Sequence, residues 1–377
     1  MSIGALFIAL LAIIAGCGHS ISGAQPPGPP PPAPPEYAFV SNSADSVISS
    51  FKVNSKTGAL TFADSATAGA AGGARGLVVA HKGQFLYVAN QDSAEIFGFT
   101  IDKSNGHLSP TGQKSISTGA GTAPLTLAVS PDNFLYALDY ANNQVLSYSI
   151  STSSGALKSL GAPVATGRGP VSMVVTPQIT AGFVANSIDG TLSGYSIAKN
   201  GTLTASGSIA SLGTVAGEPL WLVSDATGAN LYVADAMGLA GGVISAFTIS
   251  GATLAFVNVF STGNTTGFPL SLTVSPTLPF IYVANGANNN LSKLTIQTGG
   301  LAPATLIPGI TSANSIASAP NGKFLYITDQ SGGMIFQNGI NATTGDLVPV
   351  APASIPTESP ANPASSPFQI VVANASN

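Results

Sequence analysis

Four residues come nearest to a chemical constellation: Arg75, Arg168, Glu218 and Trp221. A guanidinium offers a fixed fork of donors for an anion, and a carboxylate can take a proton from water or a substrate. All four stand close to the start of apolar runs that read as β-strands, so they could converge on one opening. The alternative is that Arg168 and Glu218 are rim charges and Trp221 packs in the core. Histidine adds little. His19 lies in an N-terminal leader, His107 follows Asn105-Gly106, and His81 precedes Lys82-Gly83, so the last two read as turn residues. There is no phosphate-cradling glycine loop, no zinc-ligand spacing and no Gly-x-Ser-x-Gly elbow. The run from Asn285 to Asn290 lacks the carboxylates that calcium needs. No cofactor and no metal are expected.

The elements that must position these residues repeat. Tyr87-Val88-Ala89-Asn90 returns as Tyr136-Ala137-Leu138-Asp139, Phe183-Val184-Ala185-Asn186 and Tyr232-Val233-Ala234-Asp235. Tyr282-Val283-Ala284-Asn285 and Tyr326-Ile327-Thr328-Asp329 follow, and Tyr37 opens the first copy. Anchors at 37, 87, 136, 183, 232, 282 and 326 are 50, 49, 47, 49, 50 and 44 residues apart. A period of this length with strand-like content predicts an all-β, seven-bladed β-propeller. In the third copy, residues 124–131, 134–139, 144–150 and 155–160 read as four strands separated by Pro-Asp, Asn-Asn and Ser-Gly turns, an antiparallel meander. The second strand is almost continuously apolar, which predicts burial on both faces. The Asn or Asp closing each second strand is a ring of possible metal acceptors, yet these residues commonly cap turns through backbone amides, and that is the reading adopted. Residues 37–68 supply only the last three strands of a blade, and residues 367–373 only a first strand. Their pairing would close the ring.

Hydrophobic residues make up 45% of the 377, and charged residues only 7%, against about 25% in an average soluble protein. The formal charge is −4 and no basic cluster occurs, which argues against nucleic acid as a partner. The leader carries its own chemistry. The apolar stretch from Ile3 to Gly16 is too short to span a membrane and fits a secretory signal. It ends in Ile14-Ala15-Gly16-Cys17, with the chain's one cysteine, and this resembles the lipoprotein box in which such a cysteine is acylated. No Lys or Arg follows Met1 in its expected place, and an ordinary signal with an incidental cysteine is the alternative. Residues 18–36 are proline-rich. Polyproline II over fifteen of them gives a spacer of roughly 45 Å. The expected organisation is a lipoprotein-type signal over 1–17, a linker over 18–36 and the propeller over 37–377. Localisation would be the cell envelope, with the membrane a partner through the lipid.

Phe85-Leu86-Tyr87-Val88-Ala89-Asn90 and Ser130-Pro131-Asp132-Asn133-Phe134-Leu135-Tyr136 resemble the YVTN-type repeats of lactonase-like propellers, a family that includes 6-phosphogluconolactonases. The resemblance covers about residues 37–373 and implies a lactone hydrolase. Enzymes of that family typically carry Pro-Arg-His at the start of an inner strand, His-Pro before the tyrosine strand and Asn-Glu after it. Here Ala74-Arg75-Gly76 keeps only the arginine. The tyrosine strands are followed by Gln91, Tyr140, Ser187, Ala236, Gly286 and Gln330. Two functions therefore stand open. One is a lipid-anchored module that binds a protein, a glycan or a small molecule. The other is a lactone (carboxylic-ester) hydrolase with an altered site near Arg75 and Glu218. The Leu, Ser and Thr of the other inner strands favour a neutral ligand over a phosphorylated sugar.

Overall fold

The computed structural model describes residues 34–69, 72–209, 217–236, 242–265, 268–286, 288–357 and 366–375. The signal and nearly all of the linker, with Cys17, lie outside them. Contacts divide the chain at Ala33/Pro34, and the second unit is the propeller.

The repeat folds as its turns dictate. Each copy makes one antiparallel sheet of four strands, two of them with a divided outer strand, and seven sheets form the blades. Among the described residues there is no helix. Blade three runs Pro124–Val129, Phe134–Asp139, Gln144–Ile150 and an outer strand in two pieces, Leu157–Ser159 and Val164–Ala165. The inner strands contact their neighbours in a closed cycle from Ala74–Ala80 through Pro124–Val129, Pro170–Val175, Pro219–Ser224, Pro269–Val274 and Ala313–Ser318 to Pro367–Asn374. Blade one takes its inner strand from the C-terminal end. Glu36–Asn42 pairs antiparallel with Pro367–Asn374, Tyr37 opposite Ala373 and Val40 opposite Ile370. The expected closure is therefore present, and the first strand takes in Glu36.

The cores lie between blades. Seven apolar clusters form, each shared by two adjacent sheets. In Phe85–Asn90, Leu86 and Val88 pack toward blade one while Tyr87 and Ala89 pack toward blade three, which is why this strand is apolar throughout.

The tyrosines and glycines of the repeat meet across blades. Tyr87 Oη donates to Gly155 O of the next blade at 2.6 Å, Tyr282 to Gly345 O at 2.6 Å, Tyr326 to Gly58 O at 2.7 Å and Tyr136 to Gly201 O at 3.0 Å. Burial pushes the Tyr87, Tyr136, Tyr282 and Tyr326 hydroxyls above the ordinary tyrosine range, so they stay protonated donors. The phenylalanine two residues before each tyrosine covers the same glycine. A Cβ on Gly155 would lie 2.7 Å from the Phe85 ring, and one on Gly345 2.5 Å from Phe280.

The Asn and Asp residues closing the second strands are buried. Asn90, Asp139, Asp235 and Asp329 are tied to backbone, whereas Asn42, Asn186 and Asn285 donate to side chains and keep a buried Oδ1 with no partner among the described residues. Asn90 Oδ1 accepts from Asp92 N and Ser93 N. Asp139 Oδ1 accepts from Ala123 N, and Asp235 Oδ1 from Glu218 N, just ahead of an inner strand in each case. Asp139 and Asp235 thereby fix where their inner strands begin.

Candidate functional site at the channel mouth

Every inner strand starts irregularly, and this builds the site. Its first residue pairs with the closing Asn or Asp, and the next regular pair skips a position. Pro124 faces Asp139 and Thr126 faces Leu138. The same shift recurs in five other blades, and in blade two it spans both Arg75 and Gly76, from Ala74 opposite Asn90 to Leu77 opposite Val88. A bulge of this kind re-aims the extra side chain. Here it turns the second residue of six inner strands toward one point. Leu125, Val171, Leu220, Leu270, Asn314 and Phe368 line a cavity of about 230 Å³, together with Thr126, Trp221, Ser271 and Ser315.

Arg75 is the second residue of the remaining inner strand, Ala74–Ala80 of blade two. Its guanidinium sits 5.0 Å from the centroid of the Phe368 ring, a cation–π distance. Its Nε is buried and has no hydrogen-bond partner among the described residues. Ser41 Oγ donates to the Arg75 carbonyl and pins the backbone.

The third residues form a polar layer that is mostly spent inside the wall. Thr126 Oγ1 donates to Val171 O at 2.7 Å. Ser172 Oγ, Ser315 Oγ and Gln369 Oε1 accept from Leu222 N, Ile370 N and Leu77 N of the following blades. Ser271 Oγ is buried and without a partner among the described residues. Asn314 Nδ2 donates to Phe368 O at 2.7 Å. The cavity thus has an apolar wall, one cation at its edge and few unspent polar atoms. No carboxylate and no imidazole is among its lining residues.

Gly76 is the third residue in blade two. A Cβ there would lie 2.6 Å from Thr126 Cα and 2.8 Å from Leu125 O. Both are backbone atoms of the neighbouring inner strand, so they cannot swing aside. Only glycine fits.

The four residues singled out by sequence separate. Trp221 lines the cavity, and Arg75 lies against a residue that does. Arg168 turns to the rim, where its Nε donates to Asp189 Oδ1 at 2.6 Å and its side chain is 68% exposed. An exposed pair of this kind is worth at most about 1 kcal/mol. Glu218 has its amide bound by Asp235, and its carbonyl accepts from Ala236 N. It does not line the cavity. His81 occupies a turn at φ 48°, with Nδ1 3.1 Å from Asn133 Oδ1. His107 is exposed and follows the turn at residues 103–105. Sequence reasoning missed Phe368 as a lining residue and Gly76 as a steric limit. The signal available for Phe368 was its place one residue after Pro367, matching Leu125 after Pro124.

A family model described as "Lactonase, 7-bladed beta-propeller" matches residues 35–123 and 114–211. The protein is a seven-bladed β-propeller, and the matched stretch, just under half of the chain, is similar to that family. Among solved structures, a putative 6-phosphogluconolactonase from Bacteroides uniformis ATCC 8492 superposes with a TM-score of 0.76 at 17% identity, over 90% of this chain and 99% of that one. A putative 6-phosphogluconolactonase from Bacteroides fragilis gives 0.74 at 17%, over 92% and 100%. The periplasmic gluconolactonase of Pseudomonas aeruginosa gives 0.73 at 16%, over 91% and 100%. At these identities the matches show the shared fold. No curated protein matches the sequence.

Proposed function

We propose that this protein is a lactonase-like propeller of the cell envelope, anchored by a lipid on Cys17. It binds a small, largely apolar ligand at the channel mouth without opening a lactone. The observation that carries this reading is Gly76. It stands where enzymes of the resembled family carry histidine, and the backbone of Leu125 and Thr126 leaves no room for any side chain. The nearby arginine has no proton-transfer partner in the cavity lining, so it serves recognition. A carbonyl or carboxylate oxygen on the ligand would be drawn toward the Arg75 guanidinium beside Phe368, and leucine, valine and phenylalanine would cover the rest.

The test is a panel of lactones, including gluconolactone and 6-phosphogluconolactone, assayed with the wild type and with Arg75→Ala. No turnover above the spontaneous rate is expected from either protein. Turnover by the wild type that Arg75→Ala abolishes would establish the second reading, a lactone hydrolase with an altered site. The names of the superposing structures favour that second reading.

The anchor has its own test. Cys17→Ser is expected to move the protein from the membrane to the soluble fraction on cell fractionation. Unchanged membrane retention counts against acylation.

A further inference from the structure

We infer that the cleft between blades three and four is a second binding site, separate from the channel mouth, and that it takes a neutral saccharide. The cleft arises from a gap in the outer wall. Blade three pairs its outer strand only at Leu157–Ser159 and Val164–Ala165. Facing it, the outer strand of blade four offers Ala205 and Gly207, which carry little or no side chain. The space left is about 500 Å³, within the usual range for small-ligand sites.

Its lining is built for hydroxyl groups. Asp189 Oδ1 and Oδ2 accept from Arg168 Nε and Arg168 N, and each carboxylate oxygen keeps a further lone pair. The backbone hydrogen bond from Arg168, followed by that from its side chain, holds the Asp189 carboxyl below the ordinary aspartate value, so it remains an acceptor at neutral pH. Thr191 Oγ1 accepts from Asn186 Nδ2 at 3.1 Å and has its own proton to give. Thr166 Oγ1 donates to Gly167 O at 2.7 Å and has lone pairs to accept with. Tyr195, by contrast, is spent: its hydroxyl donates to Ala165 O at 2.7 Å and holds the two blades together across the cleft floor.

The cleft therefore presents donors and acceptors together, and Arg168 neutralises its one carboxylate. An anion would meet Asp189, and a cation would compete with Arg168. A vicinal diol satisfies the set, because two adjacent O–H groups can donate to one carboxylate while a third accepts from Thr191.

The experiment is titration of the full-length protein with glucose, N-acetylglucosamine, maltose and cellobiose, read by ligand-observed NMR. At least one sugar is expected to bind with a Kd near ~1 mM. Ala205→Trp, which fills the cleft, should weaken that binding at least tenfold. Asp189→Ala, an exposed change with little effect on folding, should weaken it as well. Leu220→Trp, which fills the channel mouth instead, should leave it unchanged. Failure of all four sugars to bind, binding that survives both cleft variants, or binding lost in Leu220→Trp would overturn the inference. None of these outcomes depends on whether the mouth binds a ligand of its own.

Discussion

Deleting residues 366–377 is expected to unfold the ring or lower its melting temperature by more than about 10 °C. The strand Pro367–Asn374 is the inner strand of blade one, and Glu36–Asn42 pairs with it along its length. Its Ile370 is buried in the core shared by blades seven and one, where Val372 packs, and Val371 packs on the other side between blades one and two. Full burial of such a side chain is worth about 1.5–3 kcal/mol, reached by Ile370 and in part by the two valines. Losing these with a row of strand hydrogen bonds removes a large share of the net stability of a typical domain, about 5–15 kcal/mol. The loss also strips Gln369 from Leu77 N and Ser315 Oγ from Ile370 N, so both neighbouring blades lose a tie, and the edge of blade one is left open to promiscuous pairing. Differential scanning calorimetry of the truncated and full-length chains decides the matter. An unchanged transition would show that the ring does not rely on this closure.

Gly155→Ala is expected to destabilise the protein by about 2–4 kcal/mol, whereas Gly112→Ala should be close to neutral. Gly155 has φ +69° and its added Cβ would enter the Phe85 ring at 2.7 Å. That ring is 1% exposed and packed in the core between blades two and three, so relief means moving the core. A left-handed alanine alone costs about 1 kcal/mol, and overpacking adds about 1–3. Displacing the hairpin also strains the bond from Tyr87 to Gly155 O. A Cβ on Gly112 meets nothing within 4 Å, so this second glycine controls for the general effect of adding a methyl group. Urea titrations of the two variants measure the difference. Equal midpoints would mean that the Phe–Gly contact adds nothing to stability.

The blades were legible because their determinants are local. Alternation, an apolar second strand and turn residues such as Asn133 at φ 65° act over a few residues each, and they recur at a constant spacing. The closing strand was legible for a related reason, since residues 37–68 lack one strand and residues 367–373 have one to spare. The mouth was legible only in part. Trp221, open in sequence between a site residue and core packing, both lines the cavity and packs on the core of blades five and six, and Arg75 lies beside Phe368 of the lining. Arg168 and Glu218 stand equally near the starts of inner strands, yet Arg168 turns to Asp189 and Glu218 does not line the cavity. Proximity in sequence to a strand start does not say which way a bulge will turn a side chain.

By itself, then, the sequence determined the seven-bladed all-β ring, its closure and the missing histidine and glutamate of the resembled enzymes, because all of these are patterns along the chain. Only the tertiary structure decided that six second-position side chains converge on one cavity, that Gly76 admits no side chain, and that a polar cleft opens between blades three and four. Each of these depends on how near two strands from different blades approach each other. That distance is set by packing across the ring, not by any run of neighbouring residues.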